Sequence, residues 1–135
     1  MKTFNEIYED YRGEHKAPDR RDTPFYDLED VMPDIYSPNG FRYYGGYHFS
    51  DRDAYNLIRK AHNNPNMQIK IYRAIPLGLD NPQINPGDWV AITRGYARDH
   101  GKAVFDKHTL LIKTVRAKDL WNDGNSIQEY GYDPI

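Results

Sequence analysis

Three residues far apart in this chain are placed to do chemistry: Arg73, Thr93 and Glu129. Arg73 lies in the run Met67-Gln68-Ile69-Lys70-Ile71-Tyr72-Arg73-Ala74-Ile75-Pro76, which alternates with period two. Side chains of a strand alternate between faces, so Met67, Ile69, Ile71, Arg73 and Ile75 share one. Arg73 stands where another isoleucine belongs. Burying an unpaired guanidinium costs several kcal/mol, so it needs a carboxylate partner or a cleft that admits an anion, and the planar fork of Arg suits phosphate. Glu129 is a second charge expected on a strand, in the stretch Ser126 to Tyr132. There Ile127, Glu129 and Gly131 fall on one face and Gln128, Tyr130 and Tyr132 on the other. Thr93 follows the short apolar run Trp89-Val90-Ala91-Ile92 and can cap a brief helix from Arg94 to His100, closed by Gly101. The plainest use of the two charges is a structural ion pair, Arg73 to Glu129, between neighbouring strands.

The elements that must hold these residues can be read from periodicity. Ala54, Leu57, Ile58 and Ala61 recur at helical spacing behind Ser50-Asp51-Arg52-Asp53, which resembles a capping box. The pattern predicts a helix over about 51–62, stopped by Asn63-Asn64-Pro65 and packed on the strand 67–75. Asn85-Pro86-Gly87-Asp88 predicts a type II turn. Thr109 to Val115 predicts a further strand, and Asn122-Asp123-Gly124-Asn125 a turn. Phe4, Ile7, Tyr8 and Tyr11 predict a short helix within 1–12. Residues 13–23 read as an exposed loop. Residues 24–47, rich in Pro, Gly and Tyr, read as irregular structure lying over a surface.

Composition bounds the function. A chain of 135 residues fits one domain, 1–135, with a loop-rich segment 1–47 and a core 48–135. The net charge of -2, with Lys and Arg scattered, argues against a general nucleic-acid binder. The absence of cysteine removes disulfides, thiolate metal sites and a Cys nucleophile. The five histidines are dispersed without metal-ligand spacing, so no metal is expected. No stretch approaches the roughly 20 apolar residues of a membrane span, so a cytoplasmic protein without membrane contact is expected.

Four segments together resemble phage and prophage ADP-ribosyltransferase-like domains of the Arg–Ser/Thr–Glu group, some of which are fused to head-morphogenesis proteins. They are Ile71-Tyr72-Arg73-Ala74-Ile75-Pro76, Ile84-Asn85-Pro86-Gly87-Asp88-Trp89-Val90, Tyr96-Ala97-Arg98-Asp99-His100-Gly101 and Asp123-Gly124-Asn125-Ser126-Ile127-Gln128-Glu129-Tyr130-Gly131-Tyr132. The likeness covers about residues 50–133. It implies an α+β fold with a split mixed or antiparallel sheet and one main helix, and NAD as substrate. It assigns Arg73, with its neighbour Tyr72, to the NAD phosphates and ribose, and Thr93 to support of the nicotinamide pocket. Glu129 becomes the catalytic carboxylate, stabilising the positive charge that develops on the ribose as nicotinamide leaves; a carboxylate plays a comparable part in glycoside hydrolysis. Tyr96, Tyr130 or Tyr132 can stack on a ring of NAD, Arg98 can touch phosphate, and Asn125 can edge the pocket. The acceptor would be a host protein or nucleic acid, in the bacterial cytoplasm, with virion association as a second location. Two positions depart from the group's pattern. Ile127 occupies the place of the Gln or Glu that usually precedes the late Glu by two residues, and the usual Ser-Thr-Ser stretch is Ile92-Thr93-Arg94. The alternatives on the same fold are a non-catalytic anti-defence or binding protein and an NAD glycohydrolase.

Overall fold

A computed structural model describes residues 16–134, so the helix expected within 1–12 lies outside the described residues. The described chain is α+β: six antiparallel strands in one sheet, two helices of 11 residues and one short helix. Strand β1 is Thr23–Pro24, β2 Gln68–Pro76, β3 Trp89–Ala91, β4 His108–Arg116, β5 Leu120–Asn122 and β6 Glu129–Tyr132. The helices are α1, Gly40–Tyr44, α2, Asp51–Ala61, and α3, Arg94–Val104. The strand order is β1-β5-β6-β3-β2-β4. β2 and β4 pair continuously from Gln68–Arg116 to Pro76–His108, whereas β2 meets β3 at the pair Tyr72–Ala91.

The period-two run gave its strand, with Ile69, Ile71 and Ile75 buried and Gln68 and Lys70 exposed. The helix at 51–61 buries Ala54, Tyr55, Ile58 and Ala61, and the turn at 85–88 closes with the Asp88 N–H on the Asn85 carbonyl and Gly87 at φ +93°. Four expectations need correction. The expected single main helix is one of two, because α3 does not stop at Gly101: it continues to Val104, and Gly101 packs where a Cβ would lie 2.5 Å from the His108 ring. His100 is therefore inside the helix. The last strand begins at Glu129, leaving Ile127 outside it and in the core. Residues 24–47 are not a surface covering. Phe25, Leu28, Met32 and Ile35 are fully buried in the main core beside Ile58, Ile71 and Tyr130, because irregular backbone can carry core residues provided its polar groups are satisfied. Nor is 16–23 simply a loop in solvent: Pro18 is buried over Gly131, where a Cβ would meet the Pro18 carbonyl at 1.7 Å.

Candidate functional site

Paired residues of an antiparallel ladder place their side chains on the same face. Tyr72 pairs with Ala91, and Ala91 with Glu129, so Tyr72 and Glu129 share a face, two strands apart. Arg73, next to Tyr72, points to the other face, among Ile71 and Ile75. The carboxylate it meets there is Asp88, at 3.8 Å, and its guanidinium also donates to the Trp89 carbonyl at 2.6 Å. Arg73 and Asp88 are both buried. Of the two expectations for Arg73, a carboxylate partner or a cleft that admits an anion, the structure supplies a carboxylate, Asp88, from the turn before β3. The register of β2, β3 and β6 separates Arg73 from Glu129, so the structural pair expected of those two is replaced by Arg73–Asp88.

Glu129 begins β6 and is half-buried. The Tyr96 hydroxyl, from the first turn of α3, donates to its Oε1 at 2.6 Å. Burial first, and then the bond to the Glu129 carboxylate, hold the Tyr96 hydroxyl well above the usual phenol range. Both residues line a cleft of about 470 Å³, together with Tyr43, Tyr44, Tyr47, His48 and Asn125. The sequence-derived residues Tyr96, Asn125 and Glu129 thus come together. Tyr72, Arg73, Thr93 and Arg98 are not among the lining residues of this cleft. Tyr72 lies under the Arg94 guanidinium, 5.6 Å from its ring centre; Arg98 is exposed on α3. Tyr130 and Tyr132 do not offer free rings for stacking. Tyr130 is fully buried edge-on against Phe25, with its hydroxyl on the Ile127 carbonyl, and Tyr132 is buried beneath Lys113.

Behind the cleft runs a polar network that the sequence did not announce. Thr93 caps α3 through the Tyr96 N–H at 3.4 Å, as expected, but its hydroxyl also donates to Gln128 Oε1 at 2.8 Å. The Gln128 amide donates to Ser50 Oγ at 3.0 Å and Asp51 Oδ1 at 2.9 Å. Ser50 does not cap α2 with its side chain. Its hydroxyl lies 3.0 Å from Thr93 Oγ1 and 2.7 Å from His48 Nδ1. The Ser50 N–H donates to His48 Nδ1 at 3.1 Å, which makes that nitrogen an acceptor and puts the ring proton on Nε2, 2.7 Å from Asp99 Oδ2. Asp51 Oδ2 accepts the backbone N–H groups of Tyr47 and His48 at 2.8 and 3.0 Å. The segment carrying Tyr47 and His48 is therefore fixed to α2 and α3. Gln128, Ser50 and Asp51 are nearly fully buried. The only hint in the sequence was the placing of Gln128 on the face opposite Glu129, with Tyr130 and Tyr132.

The chain matches no family model, no curated protein and no solved structure. Among the described residues, no group of His, Asp and Glu is arranged to hold a metal ion, and no helix is long and apolar enough to cross a membrane.

Proposed function

We propose that this chain is a phage-type mono-ADP-ribosyltransferase, transferring ADP-ribose from NAD to a host macromolecule with Glu129 as its catalytic carboxylate. The observation that carries the reading is the Glu129–Tyr96 pair in a cleft also lined by Tyr43, Tyr44 and Tyr47. The narrow join of β2 to β3, a single pair beside the nine of β2 and β4, supports the split sheet that the resemblance implies. In the reaction the bond between ribose C1′ and the nicotinamide nitrogen breaks, and its electron pair leaves with nicotinamide. Positive charge develops on the ribose. A carboxylate already oriented by a hydroxyl donor, in a partly dry site, stabilises that charge without having to reorganise. The acceptor's nucleophile then bonds to C1′ and releases its proton to water. This step assigns no part to Arg73.

Labelled NAD supplied with host lysate tests the reading. Wild-type protein is expected to label a macromolecule, and Glu129→Gln, whose amide oxygen still accepts from Tyr96, is expected to lose at least about a hundredfold in rate while still being stabilised by NAD. Nicotinamide release without a labelled acceptor would instead make the chain a glycohydrolase.

A second reading, a non-catalytic binding protein on this fold, is favoured by one observation. Tyr43 and Tyr47, which line the cleft, and Phe49, against the His48 ring, are 58, 89 and 78% exposed, and aromatics are enriched at interfaces. A protein of that kind gains no thermal stability from NAD, whereas a binder with NAD at 100 times its dissociation constant gains about 2.7 kcal/mol.

A further inference from the structure

Gln128 sits directly before Glu129, is 2% exposed, and has all of its polar groups engaged. Its two amide N–H bonds go to Ser50 and Asp51, and its amide oxygen takes the Thr93 hydroxyl. Its backbone N–H donates to Ser126 Oγ at 3.0 Å, and its carbonyl accepts from the Ile92 N–H at 3.2 Å. These partners belong to the N-terminus of α2, the junction of β3 with α3, and the loop before β6. The side chain alone joins the first two, and with its backbone the residue ties together all three. Gln128 immediately precedes β6, so holding its side chain and its backbone fixes the point from which Glu129 departs toward Tyr96. Thr93, which bonds to Gln128, also receives the Tyr96 N–H, so the same amide fixes both members of the Tyr96–Glu129 pair.

We propose that Gln128 is the positioning residue for Glu129. The inference rests on the assignment of Glu129 as the catalytic carboxylate. The chemistry requires an amide at 128. Asp51 Oδ1 must be met by a donor and Thr93 by an acceptor, and no carboxylate or hydrocarbon of that size supplies both. A glutamate would set a second carboxylate 2.9 Å from that of Asp51. Groups that orient a reacting residue act on rate through small displacements, of which 1 Å can cost about a hundredfold.

The test compares Gln128→Met with Ser50→Ala, which removes one of the three side-chain partners, and with Tyr55→Phe. The last deletes a buried hydroxyl that bonds to the Ile35 carbonyl at 2.9 Å and serves as a control for general loss of stability. The readouts are melting temperature, kcat and KM for nicotinamide release from NAD, and the ring-carbon resonance of Tyr96 in protein carrying labelled tyrosine. Gln128→Met is expected to lower kcat between about ten- and a hundredfold with little change in KM, and to move the Tyr96 signal toward its place in Glu129→Ala. Ser50→Ala should do the same to a smaller degree and keeps the test open if Gln128→Met fails to fold. Tyr55→Phe should lose stability with kcat and the Tyr96 signal unchanged. If kcat in the Gln128 and Ser50 variants falls no further than in Tyr55→Phe and the Tyr96 signal stays in place, the positioning role is wrong. If wild type releases no nicotinamide, the proposed function is wrong, and the Tyr96 signal alone decides whether Gln128 aims Glu129.

Discussion

Replacing Thr93 by valine separates the work of its hydroxyl from that of its bulk. Valine keeps the shape and the β-branch, so no cavity opens, and what disappears is one oxygen. That oxygen caps α3 and donates to Gln128 Oε1. Losing a side-chain cap costs typically about 1 kcal/mol. Leaving a buried amide oxygen without its donor costs about 1–3 kcal/mol more, and Gln128, almost wholly buried, has little water to turn to. The expected loss is about 3 kcal/mol, which for a domain of this size corresponds to a fall in melting temperature of roughly 10 °C. Thr93→Ser is the counterpart: it keeps the oxygen and gives up one methyl group, at about 0.8 kcal/mol. Urea unfolding of the two variants beside wild type, with the m-value checked for constancy, measures the difference. If valine and serine cost the same, the network around Gln128 contributes nothing to stability, and the argument from its hydrogen bonds fails.

Further outcomes are expected elsewhere. Tyr96→Phe removes the donor from Glu129, and since hydrogen bonds to charged groups contribute about 1.5–3 kcal/mol, nicotinamide release should slow by roughly tenfold or more; an unchanged rate would remove Tyr96 from the site. Gly131→Ala should be among the most damaging small substitutions, costing about 3 kcal/mol or more, because the Cβ meets the backbone of Pro18 rather than a side chain that can swing aside; a melting temperature within a few degrees of wild type would show that the 16–20 segment does not lie over β6. Acid should loosen that segment. The Arg21 side chain holds the Asp19 carboxyl down at about 2, and Arg20 lowers that of Asp133. A carboxyl depressed in the folded state contributes stability above its unfolded value near 4 and loses it as pH falls through the folded one. Protection factors of residues 16–22, each referred to the intrinsic exchange rate at that pH, should therefore fall between about pH 4 and pH 2, and Arg20→Gln should weaken the part that depends on Asp133.

Local patterns were readable where one element decides its own shape. The alternation through Ile69, Ile71 and Ile75 and the 3.6 spacing of Ala54, Ile58 and Ala61 name their elements because burial repeats with the backbone's own period. Gly101 misled for the opposite reason: glycine commonly ends a helix, but here it is required by a side chain from another strand. The short pieces β1 and β5 have no period long enough to detect. Residues 25–35 look like loop by composition yet fill the core, because proline and glycine describe the backbone and say little about where Phe25 or Leu28 points. Of the site, Glu129, Tyr96 and Asn125 could be picked out by residue type and order. The face that each strand turns to its neighbour is a property of register, and it was register that assigned Arg73 to Asp88.

The bonds of Gln128 also carry a kinetic meaning. They join residues 77 and 78 positions apart in the chain, and the Ser50–Thr93 contact spans 43. Contacts of such separation carry the full entropy of closing a long loop and tend to form late. The pair β2–β4 can zip along nine positions while the cleft is still missing a wall. A chain caught at that stage holds most of its sheet but cannot aim Glu129. Activity in this fold would then report completion of folding, and brief opening of the 126–129 segment alone would be enough to silence it.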